Sequence, residues 1–207
     1  MSVQSKLIFF LVSFLVIFIW SAVHPHDFFT WFLEVLPAVV GVAILAATYR
    51  RFKFTDLAYV LVFLHAIILM IGGHYTYAEV PLFNWIKDTF GLSRNHYDRV
   101  GHFAQGFVPA ILAREILLRT TALKRGKMLS YLVVSICLAL SAFYELIEWR
   151  VSVAAGAAAD AFLGIQGDIW DTQWDMTFAL VGAVSSLLLL GRLHDRMLER
   201  IPGASRL

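Results

Sequence analysis

Long runs of apolar residues alternate along this chain with short polar segments, and these runs set the expected architecture. A helix needs about 20 mostly apolar residues to cross a bilayer core of roughly 30 Å. Six stretches qualify, at 7–25, 29–49, 56–73, 98–118, 128–149 and 172–191. We expect the first to be a retained anchor, because its apolar part is longer than that of a signal peptide and no A-x-A site follows. The pattern predicts an all-α polytopic membrane protein, with one domain over 1–207 built as a bundle of six transmembrane helices.

The composition agrees with lipid as part of the solvent. Hydrophobic residues make up 59% of the 207 residues and charged residues 15%, whereas a soluble domain has about 45–50% and about 25%. A net charge of +2 excludes a basic nucleic-acid-binding domain. The one cysteine excludes a disulfide framework and a cysteine-based zinc site. We expect the bilayer as partner, no nucleic acid and no organic cofactor, and the oligomeric state stays open.

The basic residues predict the orientation of the chain. Cytoplasmic segments of membrane proteins carry an excess of Lys and Arg. With the first residue inside, most of the 17 Lys and Arg fall in inner segments: Lys6, Arg50, Arg51, Lys53, Arg114, Arg119, Lys124, Arg125, Lys127, Arg192, Arg196, Arg200 and Arg206. Both termini are therefore predicted to be cytoplasmic.

Three predicted helix ends at the outer boundary carry acidic stripes. Asp98 and His102 are four residues apart, Glu145 and Glu148 three, and Asp171 and Asp175 four, so each pair shares a helix face. Helix capping and the macrodipole would account for acids at a helix start. They do not account for the glutamates at a predicted helix C-terminus, where adjacent carboxylates need a cation, a shared proton or an arginine.

The segment before the fourth predicted span mixes aromatic and polar residues. It contains His74, Tyr75, Tyr77 and Glu79, which indicates an interfacial or re-entrant segment over the outer mouth of the bundle. His74 is a candidate metal ligand at this position. His65 lies in the middle of the third span and is interpreted as a packing residue.

Several motifs carry a resemblance to a known family. GGHYTYAEVP (72–81), NHYDRVGHF (95–103) and GDIWDTQWD (167–175) make nearly the whole chain resemble the YjdF-like family of bacterial inner-membrane proteins. The stretch 95–190 is more distantly similar to the VanZ-like membrane family. That family has an Asp-(Lys or Arg)-x-x-His-Phe start, matched here by 98–103, but its two later amides are replaced by Glu148 and Asp175. The resemblance implies a bacterial inner-membrane location and a four-helix unit with a polar outer cavity, and no named reaction.

These observations leave three functional hypotheses open. The first is a metal-dependent hydrolase or transferase that acts on a lipid-linked or envelope substrate. Its divalent cation (Zn²⁺, Mn²⁺, Mg²⁺ or Ca²⁺) would be bound by His74, Asp98, His102, Glu145 and Asp171, with Glu148 or Asp175 as the catalytic base. An anionic headgroup would be bound by Arg94, Arg99 and Arg150, beside Tyr75 and Tyr77. The second is an ion- or proton-coupled transporter or ligand-binding membrane protein, and the third is a structural membrane protein whose acids pair with the outer arginines.

Overall fold

The computed structural model describes residues 3–156 and 160–201, and the regular secondary structure of these residues is helical, without a strand. They form seven α-helices of ten or more residues, a four-residue helix and a 3₁₀ turn, Tyr77–Glu79. The helices are α1 (Val3–Ala22), α2 (Phe28–Thr48), α3 (Asp56–Tyr75), α4 (Pro81–Phe90), α5 (Tyr97–Thr120), α6 (Lys127–Ala155), α7 (Asp160–Leu163) and α8 (Asp171–Leu198). The predicted all-α class is confirmed.

Four helices are long and apolar enough to cross a membrane, namely α2, α3, α6 and α8. The apolar part of α1 within the described residues, Ile8–Ala22, is shorter than these four helices. The α5 helix contains Arg99, Arg114 and Glu115, which reduce its mean hydropathy. Each predicted span therefore corresponds to a helix, and four of the six meet the criteria for a span.

Two predicted helix ends differ from the structure in ways that affect the site. The helix α3 continues through Gly72 and Gly73 to Tyr75, two residues past the predicted end at 73. A β-carbon at Gly72 would lie 2.2 Å from the ring of Tyr77, so close packing explains that glycine. The helix α6 continues to Ala155, six residues past the predicted end, because its last turns are still apolar.

The helices α5 and α8 pack with their backbones in direct contact. A β-carbon at Gly106 would lie 1.8 Å from the carbonyl oxygen of Ala179, and one at Gly182 would lie 2.1 Å from that of Phe103. Small residues permit this close approach, as they do between membrane helices in general. The contact holds the first turns of α5 and α8 side by side, and the acidic stripes of both helices lie in those turns.

The short helix α4 lies on the outside of the bundle. It begins with Pro81 at its first position and ends at Phe90, followed by the capping residue Gly91, whose φ of +62° is left-handed. It contains no buried residue, and its large apolar side chains Leu82, Trp85 and Phe90 are exposed. An amphipathic helix with an exposed apolar face is of the kind that lies at a membrane interface, and the interfacial or re-entrant segment stays a prediction.

Candidate functional site

His102 of α5 lies at the centre of a buried polar cluster. Its Nε2 is 3.3 Å from Oδ1 of Asp98, one helical turn earlier, and 3.6 Å from Oδ1 of Asp175 on α8. Its Nδ1 is 3.0 Å from Oε1 of Gln105 and 3.9 Å from Oε1 of Glu145 on α6. Both ring nitrogens therefore face oxygen atoms from neighbouring helices.

Two glutamates of α6 form the second part of the cluster. Glu145 and Glu148 are 7% and 9% exposed. The Oε1 atom of Glu145 is buried and has no hydrogen-bond partner among the described residues. The macrodipole argument made from the sequence does not apply to this pair, because α6 continues beyond them. Burying the two carboxylates costs free energy, because a buried carboxylate is stable only when it is paired, hydrogen-bonded or protonated.

Two arginines pair with the aspartates of the cluster. Arg94 contacts Asp98 at 3.3 Å and Asp171 at 2.6 Å, while Arg99 contacts Asp171 at 2.7 Å and also pairs with Asp175. The guanidinium group of Arg94 is also 3.4 Å from Asp168, and that of Arg99 is 3.3 Å from it. We call this group the arginine–aspartate network; its members are Arg94, Arg99, Asp98, Asp168, Asp171 and Asp175.

The charges of the cluster are thus unevenly balanced. The aspartates have two arginine partners, whereas no Lys or Arg of the described chain lies within 4.0 Å of Glu145 or Glu148. Groups of ligand atoms that could bind one metal ion, all within 4.8 Å of one another, come from Asp98, His102 and Asp175, and from His102, Glu145 and Glu148. His102 belongs to both groups, so it joins the acids that have arginine partners to the glutamates that have none.

A small cavity of about 70 Å³ adjoins His102 and Glu148. Its lining includes Glu34 of α2 and His65 of α3, as well as Tyr77. From the sequence, Glu34 has no predicted role and His65 is predicted to be a packing residue. Glu34 is the single charged residue of α2 and is 6% exposed, and an isolated charge in an apolar helix is a signal of function.

Tyr77 is held rigidly beside this cavity. A β-carbon at Gly72 would lie 2.2 Å from the nearest atom of the Tyr77 ring, and one at Gly101 would lie 2.6 Å from it. Both glycines are therefore needed for the position of the ring. Burial and the negative charge of the Glu34 carboxyl group raise the pKa of the Tyr77 phenol well above its usual value. The phenol therefore remains a neutral hydrogen-bond donor.

Three candidate residues lie apart from the cluster. His74 hydrogen-bonds the backbone carbonyl of Ser21 through Nδ1 at 3.1 Å and packs against Trp20 and Tyr75. The Tyr75 ring also contacts Trp20. Arg150 is exposed, and its guanidinium lies 5.6 Å from the Trp149 ring centre. The structure brings together the other nine site candidates, and Arg94 rather than Arg150 lies beside Arg99. The nine are Tyr77, Arg94, Asp98, Arg99, His102, Glu145, Glu148, Asp171 and Asp175.

A second buried polar cluster lies at the other end of α5. Glu115 and His194 are fully buried, and His194 Nε2 is 3.1 Å from Glu115 Oε2. Glu115 also accepts hydrogen bonds from Thr55 and Arg119 at 2.8 Å and 2.6 Å. The Nδ1 atom of His194 is 2.9 Å from Nη1 of Arg114. The polar atoms of this second cluster have partners, so it has the character of a structural anchor.

The helices and their buried polar site define an integral membrane protein. The family model described as "Predicted membrane protein (DUF2238)" matches residues 6–196, and the chain belongs to this family. The chain is also 52% identical over 184 residues to "Inner membrane protein YjdF" of Escherichia coli (strain K12), over 89% of this chain and 88% of that protein. The resemblance to the YjdF-like family is confirmed, and the similarity to the VanZ-like family stays a prediction. No solved structure matches the chain.

Proposed function

We propose that this protein binds one divalent cation between α5 and α6, with His102, Glu145 and Glu148 as its ligands. The observation that carries the proposal is the unpartnered Oε1 of Glu145, which is buried and lies 3.9 Å from His102 Nδ1. Two buried carboxylates without an arginine partner need a compensating positive charge. One imidazole with two carboxylates suits Zn²⁺ or Mn²⁺.

The geometry behind His102 supports the same site. If His102 binds the cation through Nδ1, the cation replaces the hydrogen bond from Nδ1 to Gln105 Oε1, and Nε2–H donates to Asp98, whose Oδ1 is 3.3 Å away. A carboxylate in this position is the usual outer partner of a metal-bound histidine, because it fixes the tautomer and the ring orientation. The alternative group, Asp98, His102 and Asp175, is less favourable for a cation since Arg99 pairs with both aspartates.

Hydrolysis or group transfer is the reaction class that such a site would serve. A divalent cation makes a bound water more acidic and polarises a phosphoryl or acyl oxygen. Asp175 is engaged by Arg99, and Glu148 is assigned here to the cation. Glu34 lines the same cavity and is therefore the carboxyl group in position to take a proton from a water molecule.

Lipid-linked or envelope compounds are the proposed substrates, because the site lies in a membrane protein whose relative is named an inner membrane protein. The cavity of about 70 Å³ is far smaller than the roughly 300–1,000 Å³ of small-molecule sites. It has room for water, so a substrate would require a neighbouring element to move, such as the 3₁₀ turn that contributes Tyr77 to the lining. Arg94 and Arg99 are engaged with aspartates, which favours a role in positioning α5 against α8 over headgroup binding.

Metal content of the detergent-purified protein tests the cation site. We expect about one equivalent of Zn²⁺ or Mn²⁺ in the wild type after exposure to the metal and removal of the excess, and a loss of it in Glu148→Gln. Glu79→Gln is the matched control, because Glu79 bonds Asn84 away from the cluster. Equal metal content in all three proteins, or none in the wild type, would refute the proposal.

Ion- or proton-coupled transport is the second candidate, favoured by Glu34 and His65, which extend the polar lining toward the middle of the helices. Against it, an apolar layer on α3 and α5 separates His65 from the Glu115–His194 cluster; it consists of Ala58, Leu61, Val108 and Ile111. Proton or cation flux in proteoliposomes distinguishes the two functions. Flux in the wild type that is lost in Glu34→Gln would favour transport over the enzyme.

We also propose the complete topology of six spans in the inner membrane, with both termini cytoplasmic. The charges of α5 support its crossing, since Asp98, Arg99, His102, Arg114 and Glu115 are all buried against other helices. Ionisable residues inside a membrane face the bundle interior in this way. The enrichment of Lys and Arg at one end of the helices supports the orientation.

A further inference from the structure

An apolar groove lies between α1, α2 and α3, near the basic end of the helices. Its cavity volume is about 320 Å³. Both α1 and α2 pack mainly on α3 and much less on each other, which leaves the groove open on their side. The three helices contribute mostly aromatic and aliphatic side chains, among them Phe10, Leu11, Ala46, Tyr49, Tyr59 and Phe63.

The groove faces the surroundings of the protein. Leu11 is 51% exposed, and Ala46 is exposed as well. Apolar cavities do not hold water well, and an unfilled space loses the dispersion contacts of its walls. Since α2 and α3 are candidate membrane spans, the hydrocarbon available at this opening is a lipid acyl chain.

Three basic residues follow the groove at the end of α2. Arg50, Arg51 and Lys53 are exposed. The Nζ atom of Lys53 is 5.2 Å from the ring centre of Tyr49, which lines the groove. Positive charge at the mouth of an apolar groove complements a phosphate attached to an acyl chain.

We propose that this groove is a binding site for one anionic phospholipid of the cytoplasmic leaflet. An acyl chain lies between α1 and α2 against Phe10 and Phe63, and the phosphate is bound by Arg50, Arg51 and Lys53. The proposal is independent of the cation site, because the groove and the His102 cavity have no lining residue in common.

Filling the groove tests the position of the acyl chain. We expect phosphatidylglycerol, added in excess to detergent-purified protein, to raise the Tm of the wild type by about 5 °C. Ala46→Phe places a ring in the groove and should abolish this shift. Ala47→Phe is the matched control, because Ala47 is also exposed on α2 but does not line the groove, and it should respond like the wild type.

Changing the charge tests the headgroup. Native mass spectrometry should show phosphatidylglycerol bound more tightly than phosphatidylethanolamine. Combining Arg50→Gln with Arg51→Gln should weaken phosphatidylglycerol by about fivefold per residue. Both arginines are exposed, so this variant is expected to fold even if Ala46→Phe does not. Equal binding of the two lipids by the wild type, or an unchanged Tm shift in Ala46→Phe, would overturn the proposal.

Discussion

Gly106 of α5 and Ala179 of α8 touch through their backbones, and this contact sets the register of the site. A β-carbon at Gly106 would lie 1.8 Å from the Ala179 carbonyl oxygen. His102 lies one turn before Gly106, and Asp175 lies one turn before Ala179. The two helices run in the same direction from the cluster, so residues one turn before the contact meet each other. The 3.6 Å approach of His102 to Asp175 follows from this register.

Gly106→Ala is expected to destabilise the protein by about 1–3 kcal/mol, because the added methyl group overlaps backbone that cannot rotate away. Thermal unfolding in detergent measures the change. Gly191→Ala is the control, since nothing lies within 4 Å of a β-carbon at Gly191. Gly106→Ala as stable as this control would show that α5 and α8 do not depend on the contact.

His102→Gln is expected to remove stabilisation by metal. A cation bound to the folded state raises the Tm of the wild type by mass action, by about 5 °C at 100 times Kd. The variant loses a ligand of the proposed site and should show no shift with Zn²⁺ or Mn²⁺. His26→Gln changes an exposed histidine outside the cluster and should keep the shift. A shift retained in His102→Gln would exclude His102 as a ligand.

His194→Ala is expected to cost about 3 kcal/mol of stability. Arginine is only a donor, so the Nδ1 atom of His194, 2.9 Å from Arg114 Nη1, must accept. Nε2 then carries the proton and donates to Glu115, 3.1 Å away. Removing the ring leaves a fully buried carboxylate with fewer partners, and breaking a buried charged network typically costs 3–5 kcal/mol.

The same variant tests whether the two polar clusters are independent. His194→Ala should leave the metal content of the protein unchanged, because His194 lies at the opposite end of α5 from His102. Thermal unfolding and metal analysis of one sample give both answers. A loss of metal together with the loss of stability would show that the two ends are coupled.

Reporter fusions test the six-span topology. Fusions after Leu92 and Gly164 should report an exterior location, and a fusion after Arg125 a cytoplasmic one. The reason is that α5 lies between Leu92 and Arg125, and α6 lies between Arg125 and Gly164, so each fusion point is separated from the next by one proposed span. An identical location for Leu92 and Arg125 would exclude α5 as a span.

The sequence predicted the helices well because burial in lipid requires long apolar runs, and six such runs are visible. Helix ends were predicted less well where a helix continues past its apolar run because its polar residues pack against another helix. The last predicted span stops at 191, but α8 continues to Leu198 and buries His194 against Glu115. The pattern of the isolated segment contains no information on that partner, which is 79 residues away.

The site was predicted in part, for a similar reason. Helical spacing identified Asp98 with His102 and Glu145 with Glu148, because partners on one helix face are visible in the sequence. Partners from other helices were not visible. Glu34 reaches the cavity from α2, and Arg94 neutralises Asp171 from a distance of 77 residues. Only the folded bundle divides the acids into those with an arginine and those without.

The apolar layer on α3 and α5 also determines where the transmembrane potential falls along the protein. From Gln105, beside His102, to Arg114 there are nine residues of helix, or about 14 Å. The layer of Ala58, Leu61, Val108 and Ile111 occupies this interval, and an apolar region is where an electric potential difference falls. In the proposed topology, a cation at His102 would therefore stay near the potential of the outer solution. Its binding costs little of the roughly 2.3 kcal/mol that a unit charge gains or loses per 100 mV across the full membrane.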